Sequence, residues 1–228
     1  MAKKSTAEQP VEIVENVLSR TEQYIEDNQK SLLIIVAVIA IIVGGYLGFE
    51  KFYVAPMENE AKALMFTAEQ YFEIDSFNLA LYGDGAELGF IDIIEEYGIT
   101  NTANLAHYYA GISLLHLGEY ENAIEYLKMF DSDDQMVGPL ALSAIGDAYR
   151  ELEDYDEALS FYLKAASKPE NQLLTPVFLF KSGEVYEKVG KYEKAIEMYE
   201  RIKKEFKRSN ESRDIQKYIT RAQIELEN

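Results

Sequence analysis

Two hydrophobic patterns divide the chain. Between Lys30 and Glu50 the run "SLLIIVAVIAIIVGGYLGF" is unbroken by any charge, whereas beyond it apolar positions recur at spacings of three and four. The second pattern predicts amphipathic helices with one buried face. The first predicts a helix of about 28 Å, the thickness of a bilayer's hydrocarbon core. A buried core helix is the alternative, but no other segment is apolar enough to surround it. A cleaved signal peptide is the stronger rival. Against it, the arm before the run is long and more acidic than basic, and the exit "FYVAP" puts Pro56 directly after Ala55. The expectation is an uncleaved signal anchor over residues 31–49.

Orientation follows from Lys and Arg. The arm, residues 1–30, carries four (Lys3, Lys4, Arg20, Lys30), and the stretch of similar reach after the run carries two, Lys51 and Lys62. That bias predicts a cytoplasmic N-terminus, with everything after Phe49 across the membrane. Within the arm Pro10 can open a helix, and Val11, Val14, Leu18 and Ile25 then share one face. Such a helix suits either a membrane surface or a partner protein, and its acidic polar face weakens the membrane version.

The soluble part repeats itself. "GEYENAIEYL" from Gly118 returns as "EDYDEALSFY" from Glu153 and "GKYEKAIEMY" from Gly190, so that Tyr120, Tyr155 and Tyr192 recur at nearly equal intervals. Twelve positions before Ala123, Ala158 and Ala195 stand Gly111, Gly146 and Gly183. Small residues at these points predict two helices crossing closely, because a larger side chain would push the pair apart. Leu114, Tyr149 and Tyr186, three after each glycine, and Leu127, Tyr162 and Tyr199, four after each alanine, would fill the space around that crossing. Between the helices "HLGEY", "ELEDY" and "KVGKY" read as tight turns, with Gly118 and Gly190 able to take positive φ. Each unit is therefore expected to be a helical hairpin.

A degenerate unit precedes these, over residues 50–103. Ala68 and Tyr71 echo the first helix and Gly89 stands one repeat length before Ala123. The gap from Ala68 to Gly89 exceeds the regular spacing of twelve, which implies an insertion around "SFNLALYGDG". Asp84 between Gly83 and Gly85 is expected to mark a plain turn, since one acid falls short of a calcium loop. After the regular units, residues 104–210, "SRDIQKYITRAQIEL" sets Ile215, Ile219, Ala222 and Leu226 on one face and predicts a capping helix over 211–228.

Small residue, large residue, turn, tyrosine, alanine and aromatic, recurring together three times, resemble the tetratricopeptide repeat. The resemblance implies an all-α chain: an N-terminal helix, a single transmembrane helix, and a right-handed α-solenoid of about four hairpins plus a cap. Departures are His107 where tryptophan is common, no proline after Phe130, and only an approximate match at Pro169. It also implies a groove lined by first helices, carried here by Tyr108, Ile112, Leu115, Ser143, Asp147, Arg150, Phe180, Glu184 and Glu187. Some of these are expected to pack against neighbouring units instead. Members that clamp an acidic C-terminus use Lys, Arg and Asn at such positions, so that activity is not implied. An aromatic and acidic groove suits a basic or apolar segment.

Composition narrows function further. Of 228 residues 48% are hydrophobic, enough for a packed core, and 22 basic against 40 acidic residues leave a net charge of -18. Such a charge repels phosphates, so nucleic acid is not an expected partner. Cysteine is absent, which removes disulfides, thiolate metal sites and cysteine nucleophiles. His107 and His116 lie nine apart on one helix, too far to share a metal, and no phosphate loop or catalytic motif occurs. No enzyme activity, cofactor, metal or small-molecule substrate is expected. Lys203, Lys204, Lys207 and Arg208 form the one basic cluster of the soluble part, read as a solvated helix end or, second, a docking patch.

The order of arm, span and repeats is similar to the ancillary tetratricopeptide subunit of the bacterial Sec translocon. That likeness implies a single-pass inner-membrane protein with periplasmic repeats. Its implied partners are a SecYEG-type translocon, periplasmic chaperones and emerging secretory proteins. The rival expectation is a tethered scaffold for envelope assembly or division.

Overall fold

The computed structural model of the protein describes residues 24–25, 27–168 and 171–227. No strand occurs among them. The chain divides into two compact units, Met1–Pro56 and Met57–Asn228.

The first unit is built on α1, Gln29–Phe49, in which no residue is buried. Its Leu, Ile and Val side chains face outward all round, and it is long and apolar enough to cross a membrane. A π-helical turn, Glu50–Val54, follows, and here the Phe49 and Tyr53 rings stack 5.2 Å apart. Val11, Val14 and Leu18, the proposed face of the arm, lie outside the described residues.

The second unit is a series of antiparallel helix pairs: α2 (Ala55–Glu73) with α3 (Phe77–Tyr82) and α4 (Phe90–Tyr97); α5 (Asn101–Leu117) with α6 (Tyr120–Met129); α7 (Val137–Glu151) with α8 (Tyr155–Ala166); and α9 (Thr175–Lys188) with α10 (Tyr192–Glu205). The last helix, α11 (Ile215–Glu227), packs on α10. Local chemistry sets the boundaries. Thr100 Oγ1 accepts from Ala103 N at the start of α5, Asp154 does so from Glu157 N at α8, and Pro176 sits in the first turn of α9.

Among the described residues, four first helices end in the same way. Glu119 N donates to Leu114 O and Gly118 N to Leu115 O; the same two bonds recur from Asp154 to Tyr149 and Glu153 to Arg150, from Lys191 to Tyr186 and Gly190 to Glu187, and from Ser76 to Tyr71 and Asp75 to Phe72. This pairing closes a helix around one left-handed residue. Gly118 and Gly190 take it at φ 80° and 72°, as the turn sequences predict. Where glycine is missing the backbone keeps the geometry, with Glu153 at φ 61° and Asp75 at φ 58°.

That fourth turn corrects the register of the degenerate unit. Phe77 begins the second helix, and Ala80, fully buried, follows the equally buried Ala68 at the same spacing that separates Gly111 from Ala123. The hairpin is thus regular, and the extra residues come after it, in the loop from Gly83 to Gly89 that separates α3 from α4. Gly89 belongs to this loop, not to a helix crossing: a Cβ there would collide with the backbone of Leu81. Hairpin propagation buries a continuous core of alanines and large side chains from Ala61 to Ala222. In α11 Ile215, Ile219 and Ala222 are buried, but Leu226 at the chain end is 43% exposed.

Candidate protein-binding groove

The small residues of each pair meet large ones across the hairpin. A Cβ on Gly146 would come within 2.6 Å of Tyr162 Cε1 and 3.2 Å of Ala158 O, and Gly111 and Gly183 are pressed in the same way by Leu127 and Tyr199. Ala123, Ala158 and Ala195 are fully buried on the opposing helices. The tight spot is glycine against the residue four beyond the alanine, so the pairing is glycine with leucine or tyrosine.

These crossings fix which face of α5, α7 and α9 turns away from the second helices. Of the nine residues read as groove positions, Ser143 is buried and Tyr108, Ile112, Leu115, Asp147, Arg150, Phe180, Glu184 and Glu187 are half-buried. The first three pack on the cluster of Ile124, Leu127, Ala141, Ala144, Ile145 and Ala148, sealing one hairpin to the next. The Tyr108 ring lies 5.5 Å from Phe130. At the other end Phe180 meets Tyr218 of α11 edge-on at 4.8 Å.

The middle of the face is polar and cross-linked. Lys181 Nζ donates to Asp147 Oδ2 at 2.6 Å and to Ser143 Oγ at 3.1 Å, while Tyr162 OH donates to Asp147 Oδ1 at 2.7 Å. Arg150 pairs with Glu151 at 3.1 Å, and Arg221 of α11 pairs with Glu187. Glu184 is held above the usual carboxylate range by desolvation, which outweighs the charges of Arg150 and Arg221. Lys181 and Arg221 were not among the sequence-read positions. Each stands one repeat length beyond its partner, Asp147 and Glu187 respectively. The face is therefore a mosaic of carboxylates and cations, with its neutral, apolar part at Tyr108, Ile112 and Leu115.

Among the described residues, two buried side-chain atoms at the α9 to α11 end make no hydrogen bond, Glu187 Oε1 and Tyr199 OH, although the Arg221 guanidinium lies beside both residues. One repeat earlier the matching tyrosine, Tyr162, is satisfied by Asp147, and the lysine that joins it is Lys181. Tyr218 occupies the corresponding place on α11, one repeat length beyond Glu184, so no ammonium is supplied there.

The other singled-out residues are structural. His107 Nδ1 lies 2.9 Å from Ala103 O, with burial lowering its pKa, and the exposed His116 ring stacks on Phe77 at 4.4 Å. Asp84 accepts from Ala86 N, Glu87 N and Tyr71 OH, so its carboxylate organises the 83–89 loop. Backbone bonds from Glu87 and Ala86 hold its pKa low. Among the described residues no group of three or more His, Cys, Asp or Glu side chains is placed to hold a metal.

One tetratricopeptide-repeat family model matches residues 141–174, and a second matches 105–133 and 178–209. These are tetratricopeptide repeats. The matched intervals coincide with the pairs α5 and α6, α7 and α8, and α9 and α10, so the family signal and the glycine crossings mark the same three hairpins. The α2 to α3 hairpin, whose turn uses Asp75, lies outside the matched residues. No curated protein matches the chain. Tetratricopeptide repeats make a protein-interaction module, and members are typically non-enzymatic scaffolds.

Proposed function

We propose that this chain is a membrane-tethered interaction subunit that holds protein segments along the face of α5, α7 and α9. The observation that carries this reading is the conjunction of three tetratricopeptide repeats with a helix, α1, that is apolar all round and has no buried residue. A tether raises the effective concentration of the repeats at the membrane and lets weak segment binding suffice. The apolar stretch at Tyr108 suits non-polar side chains, and the unsatisfied Glu187 and Tyr199 atoms with Glu184 suit a cationic one.

The placement proposed is a single pass through a bacterial inner membrane, N-terminus in the cytoplasm and repeats in the periplasm. Exposed Tyr46, Phe52 and Tyr53 with Lys51 near the exit of α1 support an interface at that end. The specific reading is an ancillary subunit of a SecYEG-type translocon, passing emerging secretory proteins to periplasmic chaperones. It is supported by the order of arm, span and repeats. Protease added outside the inner membrane should then degrade the chain beyond Phe49 and spare the arm; protected repeats would reverse the topology. Purification in mild detergent should bring down SecY-type subunits. Recovery with division or envelope-assembly proteins alone would favour the scaffold reading instead.

A further inference from the structure

A second site lies apart from the first-helix face. Between α6 and α8, with α7 as its floor, opens a cleft of about 390 Å³ lined by Leu127, Phe130, Ala141, Leu142, Ile145 and Phe161. None of these is a groove position. The floor is firmly packed, with Leu127, Ala141 and Ile145 each no more than 4% exposed. Its volume is within the usual range of ligand sites.

The cleft is rimmed by cations. Lys128, Lys164 and Lys168 all line it, against one carboxylate, Asp131. In a chain with 40 acidic and 22 basic residues, a lysine has many carboxylates available to it. The ion pairs among the described residues engage Lys62, Arg150, Lys181, Lys191, Arg201 and Arg221, and none engages these three. The ammonium groups of Lys128 and Lys164 are instead directed at rings. Lys128 Nζ donates to Tyr149 OH at 2.9 Å and lies 5.6 Å from the Phe161 centroid, and Lys164 Nζ lies 5.9 Å from the same ring. Ammonium groups held over aromatic faces without a counter-ion are free to take a carboxylate from outside.

The rim is also pre-built. Asn104 of α5 grips the backbone of Asp131 from both sides, donating to its carbonyl at 2.7 Å and accepting from its N–H at 3.0 Å. Asp134 accepts from Met136 N and Val137 N, capping α7 and closing the loop that forms the cleft's wall. A site whose backbone is fixed before binding loses little ordering entropy when occupied.

We infer that this cleft is a docking site for an acidic, apolar peptide segment of a partner protein, one that buries an aromatic or aliphatic side chain against the half-buried Phe130, Leu142 and Phe161 and sets an adjacent carboxylate among Lys128, Lys164 and Lys168. Charge complementarity chooses the occupant: a basic segment is repelled here, and the module is of a protein-binding class. The site needs no contribution from the first-helix face, so one chain can hold two segments of opposite charge.

The test uses the full chain in phospholipid nanodiscs and a fluorescent octapeptide alternating Phe or Leu with Asp or Glu, read by polarisation. A control peptide carries Asn and Gln in place of the acids, and oleate is the third probe. The acidic peptide should bind about tenfold more tightly than the neutral one, and the double variant Lys164→Glu with Lys168→Glu should lose about tenfold in affinity with an unchanged melting temperature. Glu184→Lys on the other face should leave this binding within about twofold, which separates the proposal from the groove reading. Equal binding of the two peptides would overturn the inference. So would an equal loss on reversing the distant Lys203 and Lys204, or binding of oleate without binding of the peptide.

Discussion

Lys181 of α9 and Asp147 of α7 form a 2.6 Å ion pair between neighbouring hairpins, so the solenoid is joined by charge as well as by apolar burial. Both side chains are about a quarter exposed, at 25% and 23%, which screens the pair without dissolving it. Removing Lys181 as Met leaves Asp147 with one neutral donor, Tyr162. In a double-mutant cycle with Asp147→Asn, urea unfolding should give a coupling energy of about 1 kcal/mol, falling as salt rises. Additive single-mutant effects would show that the pair contributes nothing to hairpin joining.

Gly146→Ala puts a methyl within 2.6 Å of the Tyr162 ring, which is itself fully buried and hydrogen-bonded. The helices must separate or the ring must leave its place, at about 1 to 3 kcal/mol. Ala158→Leu, on the opposing helix, should cost a similar amount. A melting temperature unchanged in both variants would mean that the crossing tolerates larger residues.

Glu153 holds a left-handed φ of 61° where the sister turns place Gly118 and Gly190. A side chain in that conformation is strained by about 1 to 2 kcal/mol, part of which glycine returns as unfolded-state entropy. Glu153→Gly is expected to stabilise the chain by about 0.5 to 1 kcal/mol, read by the urea midpoint, and Gly118→Ala to destabilise it by about 1 kcal/mol.

Tyr162 and Tyr199 occupy the same place in successive repeats, yet one phenol donates to Asp147 and the other has no acceptor, with the Arg221 guanidinium beside it. Tyr162→Phe should therefore cost about 0.5 to 1.5 kcal/mol, whereas Tyr199→Phe should be neutral or slightly stabilising. Burial raises both phenols well above their usual value, with nearby carboxylates adding to the shift. A raised folded pKa means that the folded state keeps its proton where the unfolded state has lost it. That stability is complete below pH 10 and declines above it. Absorbance at 295 nm should show these two phenols ionising only together with loss of helical circular dichroism.

Much of this fold is legible in the sequence because glycine, tyrosine and alanine recur in fixed order, and each has one steric job at a helix crossing. The first hairpin is harder to read. Asp75 replaces the turn glycine and Phe77 the tyrosine, so Gly89 offers a false register although the backbone preserves the turn at Asp75. Charge pairing on the groove face is hidden for a different reason. Lys181 and Arg221 act one repeat away from their partners, at positions that line up with the carboxylates only once helices are stacked. Leu226 fits the apolar stripe of α11 by spacing, yet it stays 43% exposed in the last turn, because spacing places a residue on a face without saying whether a neighbour covers it.

Four helix ends closed by the same pair of backbone bonds, each spanning only a few residues, also say how the molecule should yield to mechanical load. Such turns re-form locally and quickly. A pull on the two ends of the repeats should detach hairpins one at a time from α11 inward, giving a sawtooth of similar steps rather than a single rupture. A row of such links can lengthen under strain and recoil intact when released.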